Sequence, residues 1–209
     1  MEMIPDQINW LSFGELREGL KEVKLKGFPD VRPYQFTTIT LEKLDPNFLH
    51  PVQNYILESE LVKIRDVRNV ILDNFGVNIL DLNSSIDVFY GEEVISVLPV
   101  IVEEHIGNDG RIYNLIADGA HRAMVARLEQ SLISCVYIRG INKAYPYYSK
   151  PRIKGWDGIE VLEQIPAGYL KKWYAVTEPK KYYRDFNSSI FHNVGQGRGY
   201  SQKEPPYFQ

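Results

Sequence analysis

The chain has 209 residues, 44% of them hydrophobic and 24% charged, with a net charge of −3; this is ordinary soluble usage and excludes collagen-like, coiled-coil and wholly disordered classes. Its length predicts a single domain, and its one cysteine, Cys135, lies in an apolar run, excludes an internal disulfide and reads as a buried small hydrophobe. The longest apolar run, residues 94–102, is broken by Ser96 and Pro99 and falls short of the roughly 20 residues of a membrane span, and the N-terminus shows no export signal, so a cytoplasmic location without membrane contact is expected.

In chain order, Phe13, Leu16, Leu20 and Val23 recur at three- and four-residue steps and predict a helix over 12–26, with Ser12 as N-cap and Gly27 just past its end. Residues 34–41 alternate and are rich in aromatic and β-branched side chains, predicting a strand that ends near Asp45-Pro46. Leu61, Ile64, Val67, Val70 and Ile71 form one apolar stripe of a helix over 58–75, closed by Asn74 and Gly76. Residues 78–93, with turn signals at Asn83-Ser84-Ser85 and Gly91, are expected to be loop with short pieces. Residues 98–104 predict a strand, 107–110 the tight turn of a hairpin and 112–116 the returning strand. A helix of about ten residues follows Asp118-Gly119-Ala120-His121-Arg122, and 133–139 predict a further strand. Beyond Gly140 the chain is rich in Pro, Tyr and Lys; two short helical pieces are expected near 157–164 and 167–173, in an extension wrapped on the core. Trp10 and Trp173 are assigned to the core, and residues 195–199 with Pro205-Pro206 are expected to be flexible.

Charge is distributed unevenly. Residues 1–139 hold 13 Lys and Arg against 21 Asp and Glu, and residues 140–209 hold 11 against 6, which leaves −8 and +5. The basic part also holds nine of the 14 tyrosines, and rings interleaved with cations suit nucleotide or polyanion contact. The acidic chain as a whole argues against a dedicated duplex-DNA binder, whose affinity comes largely from neutralising phosphates.

The point where the strand over 112–116 gives way to a helix concentrates the chemistry. Amides at a helix N-terminus carry partial positive charge and bind anions, and Gly119 permits close backbone approach. Arg122 can clamp phosphate oxygens in a bidentate manner. His121 can donate to phosphate or move a proton, and Asp118 can hold a metal or a hydroxyl. Each residue alone has a plainer role: Asp118 as a cap, His121 as a core histidine, Arg122 as the partner of Glu103, Glu104 or another carboxylate. The five together outline a phosphate site, with Gly119, Ala120, His121 and Arg122 as nucleotide contacts. No zinc spacing, P-loop or Ser/His/Asp signature accompanies it.

Leu115-Ile116-Ala117-Asp118-Gly119-Ala120-His121-Arg122, followed by a helix and Ile133-Ser134-Cys135-Val136-Tyr137-Ile138, resembles the ParB/sulfiredoxin superfamily. The elements upstream occur in that superfamily's order, and the resemblance covers about 34–140. It implies an α+β fold, a mixed sheet with flanking helices, preceded by an N-terminal helix within 1–33 and followed by the basic extension 141–209, all in one domain. Sulfiredoxins place their nucleophilic cysteine where Ala120 stands, so their activity is not expected. Partition-type ParB proteins add a helix-turn-helix reader for which 141–209 lacks the paired amphipathic helices, so DNA is disfavoured as a partner. The free-serine kinase branch carries Asp-Gly-x-His-Arg and fits best.

That branch implies a kinase using ATP or ADP, or another nucleotide, with Mg²⁺, acting on a small hydroxyl-bearing metabolite such as an amino acid. Asp118 would orient metal or hydroxyl. The branch places its catalytic carboxylate in a His-Glu context, whereas this chain reads Leu49-His50-Pro51-Val52-Gln53; Glu58 or Glu60 would have to serve, with His121 as an alternative base. Trp156, Arg184 and His192 in the extension are candidate substrate contacts. The alternative is a nucleotide-binding regulatory or DNA-associated module using the same turn without phosphoryl transfer. The sequence leaves the oligomeric state open.

Overall fold

Alternating apolar residues build the larger sheets here, and the computed structural model describes residues 4–107 and 109–194. In chain order the first elements are β1 (Gln7–Trp10), α1 (Phe13–Lys21), β2 (Lys24–Leu25), β3 (Thr38–Leu44), β4 (Leu49–His50), β5 (Tyr55–Leu57) and α2 (Glu58–Phe75). Then come β6 (Ile86–Tyr90), β7 (Glu93–Val97), β8 (Val100–Ile106), β9 (Ile112–Asp118), α3 (Ala120–Leu128), β10 (Ile133–Arg139), β11 (Glu160–Leu162) and β12 (Arg184–Asp185). The fold is α+β, as expected. Residues 195–199 and Pro205-Pro206, expected to be flexible, lie outside the described residues, as does Asn108 of the tight turn.

The principal sheet has five strands in the order β3-β10-β8-β9-β4. β8 and β9 form the antiparallel hairpin, β10 runs parallel to β8 and antiparallel to β3, and β4 runs parallel to β9, so the sheet is mixed. β10 lies between two strands, and six of its seven residues are buried, which accounts for its largely apolar sequence. Strand periodicity sends alternate residues to opposite faces. Val100, Val102, Ile116, Ile133 and Cys135 pack with Leu61 of α2 and with Ala123, Met124 and Val125 of α3. Ile101, Val136 and Ile138 pack on the other face with Leu16 and Leu20 of α1 and with Phe186, Phe191 and Val194.

Several local signals act as read. α2 covers the expected span and stops at Gly76, whose φ of 67° allows its amide to bond the Leu72 carbonyl at 2.8 Å. Ser12 caps α1 in a reciprocal capping box with Glu15. That helix ends at Lys21, five residues early, because Lys24 and Leu25 pair with Asp185 and Arg184. The strand expected from Tyr34 begins at Thr38; Tyr34 sits in a turn with its ring in the core.

The 78–93 segment differs most from its expected loop. β6 and β7 form a hairpin, β1 adds to β6, and this three-stranded sheet closes a cluster with Val67 and Ile71 of α2. Beyond Gly140 the described residues contain no α-helix: 155–158 is a 3-10 turn, 160–162 is β11 paired with β5, and 167–173 is not helical. Trp10 and Trp173, expected in the core, are 50% and 52% exposed; Trp10 lies on the edge strand β1.

Candidate functional site

β9 delivers Asp118 to its C-terminal end, and the chain turns through Gly119 directly into α3. Gly119 has φ 89°, and a Cβ there would lie 2.9 Å from Val100 Cγ2 and 2.8 Å from Arg122 Nη2. Both the dihedral and the space therefore demand glycine. With no side chain, Gly119 cannot cap α3, and the amides of Ala120, His121 and Arg122 have no intrahelical acceptor. Ala120 packs against the core cluster below.

Arg122 faces inward. It donates through Nη1 to the Leu98 carbonyl ahead of β8 and through Nη2 to Asp118 Oδ2 at 3.0 Å, with only 9% of its side chain exposed. Arg122, expected as a phosphate clamp or as the partner of a carboxylate, pairs with Asp118 and ties β8, β9 and α3 together. Asp118 is thereby engaged, and among the described residues no group of three or more His, Cys, Asp or Glu could hold a metal ion.

His121 leads toward α2. Its Nε2 is buried without a hydrogen-bond partner. Burial holds its pKa below the ordinary value, against the pull of Glu60 and Asp118 and assisted by Lys63, so the ring is neutral near pH 7. The α2 carboxylate acting on it is Glu60, itself paired with Lys63 at 2.7 Å. Glu58 opens α2 and is exposed. Glu60 at the third helical position was legible only as one of two first-turn acids; its relation to His121 arises from the packing of α2 on α3.

The extension residues take other places. Trp156 is buried and donates through Nε1 to the Pro46 carbonyl at 2.6 Å, so it supports the core below α3 rather than offering a stacking wall. Arg184 is buried in a bidentate pair with Glu103, at 2.9 and 3.0 Å. It is not presented to a substrate. His192 is exposed, with its backbone paired to Ser96 of β7. His50, at the end of β4, has a buried Nδ1 without a partner and stacks edge-on to Tyr113 at 5.1 Å.

A family model described as the ParB CE domain matches residues 15–160, more than two thirds of the chain. The chain belongs to the ParB CE domain family. The match runs from α1 to the start of β11 and includes the whole β9–α3 turn, in keeping with the ParB/sulfiredoxin-like order of elements. Arg184 and the part of the extension after residue 160 lie beyond it. No curated protein and no solved structure matches this ParB CE domain chain. No helix of the described residues is long and apolar enough to cross a membrane.

Proposed function

We propose that this ParB-like chain binds the phosphate groups of a nucleotide at the β9–α3 turn and acts as a nucleotide-responsive binding module. The observation carrying this reading is the pairing of an α3 N-terminus that Gly119 leaves uncapped with the unpartnered His121 Nε2 in its first turn. Helix-terminal amides attract anions, and Arg122 removes the local repulsion of Asp118. Ground-state phosphate contacts come from the backbone and His121, with Arg122 holding the turn in shape. Transfer chemistry is the second reading. It is favoured by the neutral His121 beside Glu60, which can accept a hydroxyl proton, and opposed by the engagement of Asp118.

Thermal shifts with ATP, ADP, CTP and GTP, with and without Mg²⁺, test the reading, because a ligand bound only to the folded state raises apparent stability. At least one nucleotide stabilises the wild type, and His121→Ala weakens its binding by about 1 kcal/mol, the usual worth of one hydrogen bond. Absence of any shift at millimolar nucleotide removes the reading. Phosphorus NMR on serine, homoserine, nucleoside and sugar acceptors separates the two versions: binding without new phosphoesters supports the module, and a phosphorylated acceptor supports the kinase.

A further inference from the structure

The sheet face opposite α3 carries a second concavity that the β9–α3 turn does not use. Its volume is about 730 Å³, within the range of roughly 300–1,000 Å³ usual for small-molecule sites. Tyr113 of β9, Pro146, Ile153 and Trp173 supply apolar walls, and Lys150 and Lys154 stand among them. Trp173 is fixed at its backbone: its carbonyl accepts from the Lys150 amide at 2.8 Å and from Ser149 Oγ at 2.9 Å. The residue is nevertheless half exposed, and Ile153 is 73% exposed. An anchored aromatic left uncovered beside a cavity is a ready stacking surface.

Charge narrows the ligand. The Lys150 and Lys154 ammonium groups take part in no ion pair or hydrogen bond among the described residues. The carboxylate in the lining, Asp109, is already engaged by the Tyr113 hydroxyl at 2.9 Å, the Arg111 amide at 3.1 Å and the Arg111 guanidinium at 3.6 Å. The site therefore offers uncompensated positive charge next to a flat apolar wall. Its size accommodates one small molecule, and the net −8 of residues 1–139 repels a long polyanion. We propose that this cavity binds a small anion built on a planar ring, the ring stacking on Trp173 and a carboxylate or phosphate monoester held by Lys150 and Lys154.

Calorimetry on the full chain with 2-naphthoate, 2-naphthyl phosphate, neutral 2-naphthol and inorganic phosphate tests the proposal. The two ring-bearing anions bind at least about tenfold more tightly than inorganic phosphate, which has no ring to stack, and more tightly than 2-naphthol, which has no charge for the two lysines to hold. Trp173→Ala weakens both anions about tenfold, while Trp173→Phe retains most of the affinity. Lys150→Ala combined with Lys154→Ala erases the preference of 2-naphthoate over 2-naphthol and with it the salt dependence. These side chains are exposed, and circular dichroism confirms that each variant is folded. His121→Ala leaves naphthoate binding unchanged, so this site stands or falls apart from the nucleotide reading. Equal binding of 2-naphthol, full affinity in Trp173→Ala, or far tighter binding of a dT8 oligonucleotide or an acidic peptide than of any naphthyl anion overturns the proposal.

Discussion

Replacing Arg184 with methionine probes how the extension is held to the sheet. The Glu103 and Arg184 side chains are 4% and 1% exposed, and the guanidinium makes two bonds to the carboxylate. It also donates to the carbonyls of Tyr145, Pro146 and Tyr182 at 3.1–3.3 Å, and the Tyr34 hydroxyl donates to Glu103 at 2.6 Å. Burial disfavours the Arg184 charge, but Glu103 and Tyr34 outweigh it and hold the guanidinium pKa above its ordinary value. Methionine keeps much of the volume, so the loss is electrostatic: Glu103 stays buried with Tyr34 as its remaining donor. Removing one partner of a buried pair costs about 3–5 kcal/mol. With a urea m-value of about 2 kcal/mol/M, that lowers the unfolding midpoint by about 2 M. The double replacement Glu103→Leu with Arg184→Met restores most of the loss, because apolar pairs replace buried ion pairs at little net cost. Urea denaturation followed by both fluorescence and circular dichroism measures each variant. A loss below about 1 kcal/mol for Arg184→Met, the worth of an exposed pair, would refute the account of the clasp.

Three further outcomes follow from the site and core. Gly119→Ala destabilises the fold by about 2 kcal/mol or more, from the left-handed backbone and the contact with Val100; a thermal midpoint equal to wild type would contradict it. Burial holds the pKa values of His50, His105 and His121 below their ordinary value. The unfolded chain then takes up protons that the folded chain refuses, and stability falls as pH drops below about 6.5, by at most about 1.4 kcal/mol per pH unit for His121. Denaturation midpoints at pH 7.5, 6.5 and 5.5 read the fall, and His121→Gln reduces it. The Cys135 thiol, buried and pushed up to about 12 chiefly by that burial, stays unmodified by a thiol reagent at pH 8 until denaturant is added, because the thiolate is the reactive form; rapid native labelling would show that the strand opens.

What the sequence determined by itself was set by short-range chemistry. α2 follows from a stripe of apolar residues and a glycine stop, and β10 from an apolar run. The Asp118–Arg122 turn is legible because a glycine between a strand and a helix answers to local sterics. The tertiary structure decided everything that depends on partners distant in the chain. β1, β6 and β7 are short, and pairing with one another and packing on α2 makes them a sheet. Glu103 and Arg184 are 81 residues apart, and the one reads as a possible partner of Arg122 and the other as a candidate substrate contact until the extension crosses the sheet. The same packing turns Arg122 inward, brings His121 toward Glu60, buries Trp156 and leaves Trp173 uncovered. Side-chain chemistry can be read one residue at a time, whereas burial and charge compensation belong to the surfaces that meet, and those exist only once the chain has folded.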